Sequence, residues 1–94
     1  MKDFQFIQYK TLEYIGDEGS VSAETTSEKF DLFLENARKR LKRYADKGWL
    51  EVQYARQGKR YRLSGNGDKR LMWLKEKAWE GIEEFLKECF EDGI

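Results

Sequence analysis

The apolar residues follow a helical spacing through the first half of the chain, alternate briefly in the middle, and then return to helical spacing. Residues 49–54 and 61–63 are rich in β-forming residues that partly alternate with polar ones, and a glycine-containing segment separates them. Such a pattern is typical of a β-hairpin, whereas recurrence at steps of three and four indicates amphipathic helices. The sequence therefore predicts an α+β fold that is mostly helical, with one hairpin inserted before a long C-terminal helix.

Capping and turn residues set the expected bounds of the other elements. Gly16 is the expected C-cap of helix one, Ser22 is a typical N-cap for helix two, and Gly48 should end helix three. Several residues between 64 and 68 could cap the last helix. The expected ranges are 3–15, 23–30 and 34–47 for the first three helices, 49–54 and 61–63 for the strands, and from between 65 and 69 to about 91 for the last helix.

The charges are balanced over the whole chain but not along it. The formal net charge is zero, yet residues 1–31 carry a net −4, residues 32–62 a net +7, and residues 63–94 a net −3. A protein that meets a polyanion on one face needs such an asymmetry, since the remaining surface must stay soluble and avoid the polyanion. A basic helix that is merely solvated is the alternative interpretation.

Several classes of function lose essential residues in this sequence. The chain has no histidine and one cysteine, so an internal disulfide is excluded and the usual zinc, haem and Ser-His-Asp sites each lack a partner. We expect no enzymatic activity, no cofactor and no metal. No apolar run reaches the roughly 18 residues of a membrane-spanning helix, and no signal peptide is recognisable. The sequence therefore predicts a cytoplasmic protein that does not associate with membranes.

The order of the predicted elements resembles the winged helix-turn-helix domain of small bacterial, archaeal and viral regulators. The resemblance rests on the segment 21–24 before helix two, on helix three and its turn at 37–50, and on the wing at 56–63. It covers roughly residues 4–74. One departure is that Phe33 and Leu34 stand where this superfamily usually has polar residues. We expect both to pack inward; otherwise helix three would meet DNA less deeply.

The resemblance implies that helix three enters the major groove of double-stranded DNA while the basic wing contacts the backbone or the minor groove. Asn pairs with adenine and Arg with guanine in the major groove, and cations around a glycine turn can reach phosphates. The alternative is a solvated charged surface. The expected DNA-binding residues are Asn36, Arg38, Lys39, Arg40, Lys42 and Arg43 on helix three, and Arg56, Lys59 and Arg60 on the wing.

The last helix has more apolar surface than a small core can cover. Its apolar residues repeat every seven positions in two neighbouring rows, which predicts a second contact surface. We expect residues 1–67 to form the winged helix and residues 68–94 a helix that forms a homodimer, with helix one assisting. The competing interpretation is that this helix folds back on its own domain. The expected interface residues are Met72, Trp79, Ile82, Phe85, Leu86 and Phe90.

Together these features predict a sequence-specific or semi-specific DNA-binding protein that acts as a dimeric transcriptional regulator. The alternative function is a winged-helix module that binds another protein and does not bind DNA.

Overall fold

The computed structural model describes the backbone of residues 2–92 and the side chains of residues 2–84, 86 and 87. Its order of elements is the predicted one, with four helices and a two-stranded antiparallel sheet, so the α+β class is confirmed. The bounds are α1 Asp3–Glu18, α2 Ala23–Phe30, α3 Leu34–Asp46, β1 Leu50–Ala55, β2 Gly58–Leu63 and α4 Gly65–Asp92.

The ends of α1 and α2 show how local sequence sets these bounds. Ser22 caps α2 as predicted: its Oγ accepts the N–H of Thr25 at 3.1 Å, and the Thr25 hydroxyl accepts the N–H of Ser22 at 3.1 Å. The prediction that α1 ends at Gly16 is wrong. The helix continues to Glu18 and ends at Gly19, whose φ of 83° requires a residue without a side chain. Gly16 instead lies against Leu63, where a Cβ would come within 3.1 Å of Leu63 Cδ1.

The hairpin is tighter than predicted. β1 and β2 pair from Leu50 with Leu63 to Ala55 with Gly58, so only two residues form the turn. Gly58 makes this turn possible because its φ is 117°. Lys59 and Arg60, which were expected in the turn, therefore lie in β2.

The core is formed where α1, α3, α4 and the hairpin meet. Its buried apolar residues include Leu12, Ile15, Val21, Ala23, Ala37, Leu41, Tyr44, Leu50, Tyr61 and Leu74. Val21 belongs to the core because its backbone pairs with that of Tyr61 through hydrogen bonds of 2.9 and 2.7 Å. Ile7 of α1 is 44% exposed, and Phe33, contrary to expectation, is 82% exposed and does not pack inward. Leu34 is half-buried against the core, as expected.

The helix α4 begins inside the domain and then leaves it. Ser64 Oγ accepts the N–H of Gly67 at 3.0 Å and donates to the Gly48 carbonyl at 2.6 Å, which ties the first turn to the end of α3. Leu71 and Leu74 then pack on the core. A helix of 28 residues is about 42 Å long, and the molecule accordingly measures 60 × 27 × 20 Å. The boundary expected between residues 67 and 68 falls inside the first turn of this helix.

Within residues 2–92, no helix is both long enough and apolar enough to cross a membrane. The side chains of residues 2–84, 86 and 87 include no cluster of three or more carboxylate, cysteine or histidine groups that could hold a metal ion.

Candidate nucleic-acid interface

The solvent-exposed side of α3 carries half of the exposed cations of the basic segment, residues 32–62. Ala37, Leu41 and Tyr44 are buried and fix the inner face of the helix. The helix therefore presents its other positions to solvent. The exposed ones include Asn36, Arg38, Lys39, Lys42 and Arg43, five of the six α3 residues that the sequence predicted to bind DNA.

These five residues do not share one face. Arg38 and Lys42 are one turn apart and line the groove between α3 and the hairpin. At 100° per residue, Asn36 and Arg43 lie about 140–160° around the helix from Arg38. Lys39 lies between the two groups. The helix therefore offers a hairpin side, formed by Arg38 and Lys42, and a far side, formed by Asn36 and Arg43.

The groove between α3 and the hairpin has a volume of about 460 Å³. Val52, Tyr54 and Tyr61 line it from the sheet, and Lys59 lies at the edge opposite Lys42. Its walls also include two carboxylates, Glu24 and Asp46. The groove thus combines cations on both edges with an apolar and aromatic wall.

Arg40 differs from its neighbours on α3 because it is half-buried against α1. Its Nη1 donates to Thr11 Oγ1 at 3.3 Å, and its guanidinium lies 5.9 Å from the centre of the Phe30 ring. Burial raises the pKa of the nearby Tyr44 phenol, and the charge of Arg40 opposes that shift. Arg40 therefore links α3 to α1 and α2.

Arg60 is held in a similar way by the loop between α1 and α2. Its Nε donates to Ser20 Oγ at 3.0 Å, and its Nη2 donates to the Ser20 carbonyl oxygen at 2.8 Å. Both Arg40 and Arg60 were predicted to bind DNA, and the structure gives each an internal partner. A count of charges along the sequence cannot separate such residues from free cations.

Two exposed cations of the hairpin, Arg56 in the turn and Lys59 near the start of β2, take part in none of the salt bridges found among the described side chains. The Lys59 ammonium lies 5.8 Å from the centre of the Tyr54 ring. Tyr54 is 79% exposed and was not predicted as a site residue. Its alternation with Leu50 and Val52 was the available signal, since it places all three on one face of the sheet. Arg62 lies on the other face and is paired with Glu51 at 2.7 Å.

The turn between α2 and α3 fixes the start of α3. Asp31 adopts a left-handed conformation with φ 52° and caps α2. Leu32 is bound twice to Ser27: its N–H donates to the Ser27 carbonyl at 2.9 Å, and its carbonyl accepts from the Ser27 hydroxyl at 2.6 Å. Phe33 follows as the N-cap residue of α3, without a side-chain cap. The exposed ring of Phe33 thus projects from a well-fixed backbone.

A second surface runs along α4. Met72, Trp79, Ile82 and Leu86 are between 47% and 63% exposed, whereas Leu74 on the same helix is fully buried. The described part of the chain does not fold back over this stripe. The side chains of Phe85 and Phe90, also predicted for this interface, lie outside the described residues.

Comparison with solved structures gives the same architecture at low sequence identity. MarR from E. coli in its oxidized form matches with a TM-score of 0.77 and 20% identity, over 87% of this chain and 60% of that one. The multiple antibiotic resistance repressor MarR matches with a TM-score of 0.78 and 18% identity, over 94% and 67%. A mutant MarR from E. coli complexed with operator DNA gives 0.68 and 19%, over 74% and 52%.

The chain has the winged helix-turn-helix fold. The β1–β2 hairpin is its wing, and α3 occupies the position of the recognition helix, as the resemblance implied. The winged helix and α4 together span 52–67% of the length of these three proteins. No family model matches the sequence, and no curated protein does.

Proposed function

We propose that this chain is a double-stranded DNA-binding protein that regulates transcription, with α3 in the major groove and the wing on the backbone or minor groove. The observation that carries the proposal is the placement of exposed cations on both sides of the groove between α3 and the wing. Arg38 and Lys42 lie on one side and Lys59 on the other, so a polyanion seated there meets positive charge from two elements. The similar fold of a mutant MarR complexed with operator DNA supports DNA as the polyanion.

The recognition-helix cations are available for phosphate contacts. The salt bridges found among the described side chains are Lys10–Glu13, Arg62–Glu51 and Lys77–Glu80, and none of them involves α3. Arg38, Lys39, Lys42 and Arg43 therefore keep their charges free of ion pairs in this part of the chain. Contacts of this kind position a protein on DNA, while Asn36 and Arg38 have the side-chain chemistry to read base edges.

A three-residue variant tests the recognition face. Replacing Arg38, Lys39 and Lys42 together with Ala should abolish a gel shift on duplex DNA. Any residual affinity should depend less steeply on salt, with the slope of log K against log salt reduced by about 2–3, since each lost phosphate contact removes about 0.9.

The matched control removes the same charge from α4. Replacing Lys75, Lys77 and Lys87 with Ala should leave the gel shift intact, provided that circular dichroism and sedimentation show an unchanged fold and oligomeric state. Undiminished binding by the α3 variant would reject this face as the DNA surface. Failure of the wild-type chain to bind any duplex would favour the alternative of a protein-binding winged helix.

We further propose that the stripe on α4 pairs with a second copy of this chain. The stripe repeats every seven residues, with Met72, Trp79 and Leu86 in one row, and it continues along a helix that outruns its own domain. Soluble monomers rarely leave so much contiguous apolar surface uncovered. A two-fold pair would cover it and direct two recognition helices to the same side of a duplex. Half-sites roughly 34 Å apart and a near-palindromic target would follow.

Sedimentation equilibrium at micromolar concentration tests the dimer. The wild-type chain should sediment as a dimer, and replacing Trp79 and Leu86 together with Ala should shift it to the monomer. Replacing Tyr54 with Ala removes an even more exposed aromatic residue from the wing and should leave the dimer intact. A monomeric wild-type chain would refute the proposal, and a dimer that survives the double replacement would place the interface elsewhere.

A further inference from the structure

We propose that Phe33 reads the methyl group of a thymine in the major groove, next to an adenine read by Asn36, so that each half-site contains A·T pairs under the N-terminus of α3. This inference rests on the proposed function. It concerns what the first turn of α3 recognises, not whether the chain binds DNA.

The exposure of Phe33 is the first observation. At 82% exposure, it is the most exposed of the large apolar side chains in the described residues. It neither joins the core nor belongs to the apolar stripe of α4. In helix-turn-helix proteins the N-terminal residues of the recognition helix contact the base edges, and Phe33 stands at that end.

The capping role of position 33 is the second observation. Ser, Thr, Asp or Asn at an N-cap would bind a free N–H of the first turn. Phe33 cannot do so, and no side-chain cap is present on α3. Compared with a capping residue, phenylalanine at this position therefore makes α3 less stable, and its ring is not buried within its own chain. The ring would gain buried area only against a ligand.

The rigidity of the preceding turn is the third observation. Ser27 binds both the N–H and the carbonyl of Leu32, and the Phe33 carbonyl accepts the N–H of Ala37 at 3.0 Å. The backbone is thus held on both sides of the ring. Because the backbone is already fixed, binding loses less conformational entropy. The ring can therefore favour one binding geometry.

The chemistry of the major groove identifies the ligand group. Among the four base pairs, only those with thymine present a methyl group on the groove floor. Asn36 lies three residues after Phe33, so both side chains are at the N-terminal end of α3. Successive base pairs are about 3.4 Å apart along the duplex, so two side chains at one helix end can reach neighbouring pairs. Because Asn pairs with adenine N6 and N7, the two side chains together favour adjacent A·T pairs.

The test starts from a duplex selected from a random pool by the full-length chain. Each thymine of the selected site is then replaced, one at a time, by uracil, which lacks only the methyl group. Replacing the contacted thymine should weaken binding about fourfold, the equivalent of exposing one methyl group. The Phe33→Ala variant should bind the thymine and uracil duplexes equally. The Phe4→Ala variant, which lacks an exposed aromatic on α1 away from the groove, should keep the fourfold difference.

The outcomes separate this inference from the proposed function. If the selected site contains no thymine whose methyl group matters, or if Phe33→Ala retains the same sensitivity, the assignment of Phe33 is refuted while DNA binding stands. If the wild-type chain enriches no sequence and binds no duplex, the proposed function fails as well. Loss of the uracil effect only in the folded Phe33→Ala variant supports the inference.

Discussion

Two glycines of α4 should respond in opposite ways to the same substitution. Gly67 is buried where the first turn of α4 meets the end of α3. A Cβ at this position would overlap the carbonyl oxygen of Trp49 and lie 3.3 Å from Leu63 Cδ2. At Gly81, nothing lies within 4 Å of the corresponding Cβ. Alanine has a higher helix propensity than glycine at both positions. The two substitutions therefore differ only in the space available for the added Cβ.

The magnitudes follow from that difference. Ala is favoured over Gly inside a helix by about 0.8–1.0 kcal/mol, so Gly81→Ala should stabilise the fold by about 1 kcal/mol. At Gly67 the same gain is set against an overpacking cost of about 3 kcal/mol, at the upper end of such costs, since the blocking atom belongs to the backbone. Trp49 O cannot move freely, because it accepts the N–H of Ser64 at 3.0 Å. Gly67→Ala should therefore destabilise the fold by about 2 kcal/mol net.

Urea denaturation followed by tryptophan fluorescence measures both changes in the free energy of unfolding, and thermal denaturation at the same protein concentration measures the melting temperatures. The melting temperature should fall by about 8–16 °C for Gly67→Ala and rise by about 4–8 °C for Gly81→Ala. Gly65→Ala is a second control, because it lies in the same turn as Gly67 but has open space around its Cβ. If Gly67→Ala is as stable as the wild type, the packing of α4 against Trp49 described here is wrong.

Three further predictions concern single residues. Phe33→Ser supplies the missing cap of α3 and should raise the free energy of unfolding by about 1 kcal/mol in a urea titration; no gain would mean that the first turn is satisfied otherwise. Arg60→Ala removes two hydrogen bonds to Ser20 and should cost about 1–2 kcal/mol with no change in the salt slope of DNA binding, whereas Arg56→Ala should lower the slope by about 0.9 and leave stability unchanged. Burial raises the pKa of Tyr44, so the unfolded phenol ionises first and stability should fall as the pH rises above about 10. Tyr44→Phe should make alkaline unfolding shallower, and an unchanged pH profile would contradict this.

The fold was predictable because its local signals agree with one another. Ser22 is predicted as an N-cap from the sequence and caps α2 in the structure. The spacing of the apolar residues along α3 likewise identifies the residues that are buried. Gly16 misled the prediction because glycine has two uses. It can end a helix by adopting a positive φ, or it can let another element approach closely, and only the packing of Leu63 shows that Gly16 serves the second use. Tyr61 was missed because its burial depends on pairing with Val21, forty residues earlier in the chain.

The site was predictable only in part. Spacing along α3 correctly placed Arg38 and Lys42 on the exposed surface. The spacing could not reveal that Arg40, also on α3, donates a hydrogen bond to Thr11, because that contact depends on how α1 packs against α3. The inward packing expected for Phe33 rested on its apolar character alone. The turn from 31 to 33 instead directs the ring outward, so the residue moves from the expected core to the candidate interface.

The net charge of +7 between residues 32 and 62 therefore overstates the charge that DNA can meet. Arg40, Arg60 and Arg62 are engaged within the fold, and Glu24 and Asp46 lie in the groove itself. The free cations named for α3 and the wing are Arg38, Lys39, Lys42, Arg43, Arg56 and Lys59. If every one of them contacts a phosphate, the salt slope is about −5 for one copy of the chain and about −11 for two. A steeper measured slope would require cations from outside this surface, and a much shallower one would mean that part of α3 reads bases rather than phosphates.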